Sequence, residues 1–140
     1  MIGSGARIVG GARFHYHTVS LGDACWVGTE THFFSSESAR IEIGARVDIA
    51  PGCMFNTGSH QKGSHQRRAG RNCASTIRIG DGTWIGMGVQ VLDGTTVGAG
   101  CIIAAGAVVR GNFPDDVLIA GVPARVVREL HDAEPTTPEE

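Results

Sequence analysis

A chain of 140 residues has the length of one domain and can bury one core. Its formal charge of −2 excludes the strongly basic face expected of a nucleic-acid binder. No apolar run approaches the ~20 residues of a membrane span, and no charged-then-apolar leader stands at Met1, so neither nucleic acid nor membrane is expected as a partner and the cytoplasm is the expected location.

From the first residues onward an apolar anchor recurs at every sixth position, in triples: Ile2, Ile8, Phe14; Leu21, Val27, Phe33; Ile43, Ile49, Phe55; Ile79, Ile85, Val91; Val97, Ile103, Val109. A helix repeats its apolar face at about 3.6 residues and a strand at two; six is a multiple only of the second. Each hexad therefore accommodates one short strand and one corner, with two side chains directed inward. The second inward position lies four residues after the anchor and is small in thirteen of the fifteen units, the exceptions being Glu37 and Phe113. Hexad periods of this kind mark a parallel β-helix. Three hexads make one 18-residue coil, so about five coils are expected, stacked at the ~4.8 Å strand spacing. Glycine supplies 21 residues and aromatics only 6%, which leaves aliphatic and small side chains to build the core.

Coil starts fall at residues 2, 21, 43, 79 and 97, so successive coils carry insertions of one, four and eighteen residues before an unlengthened one. All three insertions lie between the third side of one coil and the first side of the next. The four-residue insertion falls within Phe34–Arg40 and the large one is the loop 61–76. Insertions in repeat proteins gather on one edge, often the functional one. A site is expected at that corner.

The β-helix with its inserted loop is expected to span 1–114, with Asn112-Phe113-Pro114 breaking the register. Residues 115–131 are expected to form a strand near Val117–Ala120 and a short capping helix starting at Pro123, because proline suits a first helical turn. The polar, acidic tail 132–140 is expected to be disordered. At the other end the first coil has no evident cap. The four cysteines lie 28, 20 and 28 residues apart, which fits no metal knuckle. Cys25, Cys53 and Cys101 each take the small inward position, where a free thiol acts as a small hydrophobe. Cys73 lies outside the register.

The large insertion opens with Asn56-Thr57-Gly58-Ser59-His60. Downstream stand Ile79-Gly80-Asp81-Gly82-Thr83-Trp84-Ile85-Gly86, then Ala104-Ala105-Gly106-Ala107-Val108-Val109, then Ala120-Gly121-Val122-Pro123-Ala124-Arg125-Val126-Val127-Arg128. Together these resemble the hexapeptide-repeat acyltransferases, and within them the maltose, galactoside, nodulation and colanic-acid O-acetyltransferases, over roughly Val27 to Leu130. The resemblance implies an all-β fold, a left-handed parallel β-helix with the inserted loop and a short C-terminal helix. It also implies a homotrimer with active sites between subunits, acetyl-CoA as the donor, and catalysis by the histidine matching His60. An alcohol is a poor nucleophile until its proton leaves, so acyl transfer from a thioester needs a base that works near neutrality, and imidazole is the side chain suited to it. Neither a metal nor a covalent enzyme intermediate is expected.

The resemblance further implies Trp84 beside the catalytic histidine, Ala105 as a backbone contact to the pantetheine arm, and Arg125 and Arg128 on the CoA phosphates, which suit the guanidinium fork. Arg110-Gly111 stands where the family carries Thr-Lys, which makes Arg110 a substitute phosphate contact. Glu30 and Ser38 align with the family's acceptor-binding asparagine and aspartate; with Asn56 they are the candidate acceptor contacts. The implied acceptor is a hydroxyl of a sugar, a polysaccharide precursor or a sugar-like small molecule. Arg67, Arg68 and Arg71 are either a surface for an anionic acceptor or a solvated loop face, and His65 is a helper or a loop residue. Two further functions stay open: a trimeric metal-dependent lyase of the carbonic-anhydrase kind, and a non-catalytic binding module. His15, His17 and His32 match no zinc spacing.

Overall fold

The computed structural model describes residues 1–132. The chain winds into three parallel sheets, each built from one short strand per coil. The first side comprises Val19–Leu21, Ile41–Ile43, Ile77–Ile79, Thr96–Val97 and Asn112–Phe113. The second comprises Arg7–Ile8, Trp26–Val27, Asp48–Ile49, Trp84–Ile85, Ile102–Ile103 and Val117–Gly121, and the third Arg13–Phe14, His32–Phe34, Met54–Asn56, Gln90–Val91 and Val108–Val109.

The hexad anchors stack on their counterparts. Leu21, Ile43, Ile79 and Val97 are successive partners on the first side. Ile8, Val27, Ile49, Ile85 and Ile103 are partners on the second, and Phe14, Phe33, Phe55, Val91 and Val109 on the third. Each pairing puts like on like, so the core is a set of columns. Phe14, Phe33 and Phe55 form one such column, with ring centroids 4.8 and 5.0 Å apart, the spacing of the strands that carry them. The small inward residues Cys25, Val47, Cys53, Val89, Cys101 and Ala107 are buried beside these columns. So are Thr83 and Thr95, whose hydroxyls donate to the carbonyls of Gly98 and Val109 at 3.0 and 3.1 Å. Corners approach closely: a Cβ on Gly80 would sit 2.4 Å from the carbonyl carbon of Gly98. The anchors of the first coil are less covered, Ile2 being 50% and Phe14 38% exposed.

Two expectations are corrected. The register does shift at Asn112-Phe113-Pro114, by two residues, but the winding does not stop there: Phe113 pairs with Val97 and Ile119 with Ile103. The corner from the third side back to the first is instead shortened, and Gly111 turns it with a φ of 115°, a conformation open to glycine. The capping helix from Pro123 is absent, and no helix occurs among the described residues. Ala124–Glu129 is a strand, antiparallel to Val117–Gly121, and extends the second sheet. The β-branched Val126 and Val127 favour this state, and a helix would have left the backbone groups of the Val117–Gly121 edge unpaired. The expected disordered tail 132–140 lies, from residue 133 onward, outside the described residues.

Candidate active site

The corner that carries the insertions is built in two tiers. In the lower coil the short insertion folds back on itself, with Ser36 bridging Ala39, and the Thr18 hydroxyl donates to the Ser36 carbonyl at 2.7 Å. In the next coil the eighteen-residue insertion forms an antiparallel hairpin of Gly58–Lys62 and Ala69–Ala74. Its tip is closed by Gly63 N–H donating to Arg68 O at 2.9 Å and Arg67 N–H to Ser64 O at 3.1 Å. Asn56 starts the hairpin, its side-chain oxygen accepting from the Gly58 N–H at 2.9 Å.

Between the two tiers lies an open concavity of about 530 Å³, lined among others by Ser36, Ser38, Asn56, Ser59, His60, Asn72 and Cys73. The imidazole of His60 is anchored by its Nδ1, 3.0 Å from the carbonyl oxygen of Gly70. A carbonyl only accepts, so Nδ1 must carry the proton and, in the neutral ring, Nε2 must not. Nε2 is then the basic nitrogen, held on a ring that cannot rotate without losing its bond. Gly70 lies in a bulge, where the register shifts between Ala69 and Asn72. A Cβ on Gly70 would stand 2.6 Å from Gln61 O and 3.1 Å from Gly63 N. Gly70→Ala is therefore expected to push the carbonyl off His60 and release the ring from its single tautomer, which imidazole nitrogen NMR, together with an unchanged melting profile, would check.

The structure brings Ser38, Asn56 and His60 to one concavity. Glu30 is not with them. It sits at the turn between Trp26–Val27 and His32–Phe34 with a φ of 53°, its carboxylate 3.9 Å from His32 Nε2. Trp84 is on the second side, 55% exposed and paired with Asp48 and Ile102, while Ala105 is exposed at the corner that follows. Both lie away from the His60 corner of the same chain. Arg110 is ion-paired with Asp93. Arg125 and Arg128 are exposed on the last strand, opposite Ala120 and Leu118. Three-residue spacing would put them on opposite faces of a regular strand, but the register shift between Leu118 and Ile119 restores them to one outward face. No carboxylate pairs with either arginine among the described residues, their guanidinium contacts being with the carbonyls of Ala124 and Glu129.

Burial pushes the thiols of Cys25, Cys53 and Cys101 above their ordinary range, which keeps them protonated and inert. His15 and His32 hydrogen-bond at 3.0 Å and stack with Phe34 on the outer face of the third side. Among the described residues no three His, Cys, Asp or Glu side chains group as a metal site, and no helix is long and apolar enough to cross a membrane. Ser36, Asn72, Cys73 and the Gly70 carbonyl are not among the residues that the sequence singled out. Asn72 and Cys73 lie opposite His60 and Ser59 in the hairpin register, which is centred on residue 66 and not on the middle of the expected loop 61–76. A backbone carbonyl leaves no mark in a sequence.

A family model described as bacterial transferase hexapeptide (six repeats) matches residues 76–111. The galactoside O-acetyltransferase of Escherichia coli K12 is 36% identical over 92 residues, 66% of this chain and 45% of that protein. The hexapeptide-repeat-containing acetyltransferase VCA0836 of Vibrio cholerae, solved with acetyl coenzyme A, is 32% identical and matches with a TM-score of 0.84 over 93% of this chain and 70% of its own. A galactoside acetyltransferase solved with coenzyme A is 30% identical, with a TM-score of 0.85 over 94% of this chain and 65% of its own. The chain spans about half the length of the curated relatives it matches.

Proposed function

The chain belongs to the hexapeptide-repeat acetyltransferases, and from that premise we propose that it transfers acetyl from acetyl-CoA to a hydroxyl of a sugar or sugar-like small molecule. The observation that carries the reading is the His60–Gly70 hydrogen bond, which supplies a base of defined tautomer in a concavity that also holds Ser38 and Asn56. His60 Nε2 takes the proton of the acceptor hydroxyl as its oxygen attacks the thioester carbonyl carbon. A C–O bond forms, the C–S bond breaks, and the imidazolium returns the proton to the CoA sulfur. The products are an acetyl ester and free CoA thiol, with no group left on the protein. The inert state of Cys25, Cys53 and Cys101 agrees with direct transfer.

Arg125 and Arg128 fit the phosphates of CoA, since they share one exposed face and have no acidic partner among the described residues. Acceptor contacts come from Ser38 and Asn56 beside His60. The separation of Trp84 and Ala105 from His60 within one chain supports a homotrimer in which the exposed second side of one subunit faces the His60 corner of its neighbour. The complexes of the two solved relatives with acetyl coenzyme A and coenzyme A favour the same donor here.

The test is thiol release from acetyl-CoA in the presence of a panel of sugars, run on the wild type and on the Arg125→Ala, Arg128→Ala double variant. Transfer is expected, with the double variant raising the KM for acetyl-CoA about 10–100-fold and changing kcat much less. Acceptor-independent background alone would remove the acetyltransferase reading, and an unchanged KM would leave the arginine pair as plain surface.

A further inference from the structure

Over residues 58–74 the hairpin carries Lys62, Arg67, Arg68 and Arg71 and no carboxylate, in a chain whose formal charge is −2. Elsewhere Arg40 and Arg78 pair with Glu42, Arg46 with Asp81 and Arg110 with Asp93, while Arg7, Arg13, Arg125 and Arg128 are not gathered in one cluster. No ion pair among the described residues involves Lys62, Arg67, Arg68 or Arg71. Four like charges on one short ribbon repel one another, and an anion brought among them relieves that repulsion.

The placement is as informative as the count. A second concavity, also of about 530 Å³, lies against the hairpin and is lined by His60, Ser64, Arg67, Gly70, Arg71 and Asn72, among others. His60 and Asn72 belong to both concavities, so the basic one adjoins the first at the His60 imidazole. Arg71 occupies the same bulge as Gly70. A bulge re-aims the side chains it carries, and here one bulge presents a carbonyl to His60 and a guanidinium to the adjoining hollow. Arg68 is partly committed, donating to the Gly63 carbonyl at 3.3 Å. Arg67 and Arg71 make no such side-chain bond among those described, which leaves their donor forks for a ligand.

We propose that the acceptor is anionic: a hydroxyl-bearing molecule with a phosphate or carboxylate that Arg67 and Arg71 hold while its hydroxyl lies at His60. The proposal rests on the acetyl-transfer reading and refines it from sugars in general to acidic ones. Phosphate and carboxylate both match the guanidinium fork, so the experiment separates them.

Three acceptors of one sugar are compared: the neutral sugar, its phosphate monoester and its uronate. Wild-type kcat/KM is expected to be at least about tenfold higher for one or both anionic forms than for the neutral parent. In the Arg67→Ala, Arg71→Ala double variant that advantage disappears through a rise of about 10–100-fold in acceptor KM, while the KM for acetyl-CoA holds. Arg67→Lys with Arg71→Lys keeps the charge, loses the fork and recovers part of the preference. A larger gain for the phosphate than for the uronate assigns the site to phosphorylated acceptors, and the reverse to uronates. Equal use of all three forms by the wild type, or a rise in the acetyl-CoA KM in place of the acceptor KM, overturns the proposal. Calorimetric binding of the phosphate and uronate forms is measured in parallel without turnover. Arginine-dependent binding with no transfer to any acceptor would sustain the anion site and remove the acetyltransferase reading. Absence of binding, alongside transfer to neutral sugars, would do the opposite.

Discussion

His60→Ala is expected to lower kcat for acetyl transfer by about 10²–10⁴-fold and to leave the dissociation constant for acetyl-CoA nearly unchanged. Trp84, Ala105, Arg125 and Arg128, the residues proposed for the donor side, stand on other parts of the fold, so removing the imidazole leaves them in place. His60→Asn is the sharper variant, because an amide can still donate to the Gly70 carbonyl, now held at 3.0 Å from Nδ1, yet cannot accept a proton near neutrality. Both variants should fall together if basicity is the contribution. Retained turnover in His60→Asn would show that the residue acts through position alone. Thiol-release kinetics and calorimetry on the same preparations read the two halves of the expectation.

Phe55→Ala is expected to destabilise the fold by about 3–5 kcal/mol, the usual range for emptying a buried aromatic site. Phe55 is 0% exposed, stacks on Phe33 at 5.0 Å, and pairs in register with Val91 on the next coil. The columns above and below it cannot collapse into the vacancy without shifting strand register, which keeps the cavity open and the cost high. A domain of this size is stabilised by only about 5–15 kcal/mol, so the loss is a large fraction of the total. Phe14 heads the same column but is 38% exposed, and Phe14→Ala should cost distinctly less. Urea unfolding compares the two, and equal midpoint shifts would mean that burial along the column is not what distinguishes them. Because Met54–Asn56 leads directly into the His60 hairpin, the Phe55 variant is also a test of how far the site depends on the core beneath it.

The legibility of this chain differs sharply between its coils and its excursions. Anchors such as Ile79 and Val97 could be paired on paper because each coil presents the same residue class to the coil before it. The insertions were visible as departures from that spacing, and their shared corner followed from counting. The residues with which His60 works were less accessible. Ser38 came from alignment with a family and Asn56 from the motif that opens the large insertion, while Glu30, aligned as Ser38 was, stands at a different corner. The C-terminal segment was misread because Pro123 suits a helix start as well as a turn between two strands, and only the open edge of Val117–Gly121 decides between them.

By itself the amino-acid sequence determined the hexad register, the columns of the core, the inert positions of Cys25, Cys53 and Cys101, and the corner where chemistry would gather. These are properties of side-chain size and polarity at fixed spacing, and in a stacked coil every long-range contact repeats a local pattern. Tertiary structure alone decided that the Gly70 carbonyl sets the tautomer of His60, that one bulge serves both Gly70 and Arg71, and that another returns Arg125 and Arg128 to one face. Those outcomes belong to backbone groups and strand edges, which are the same in every residue and find their partners only once the chain has folded.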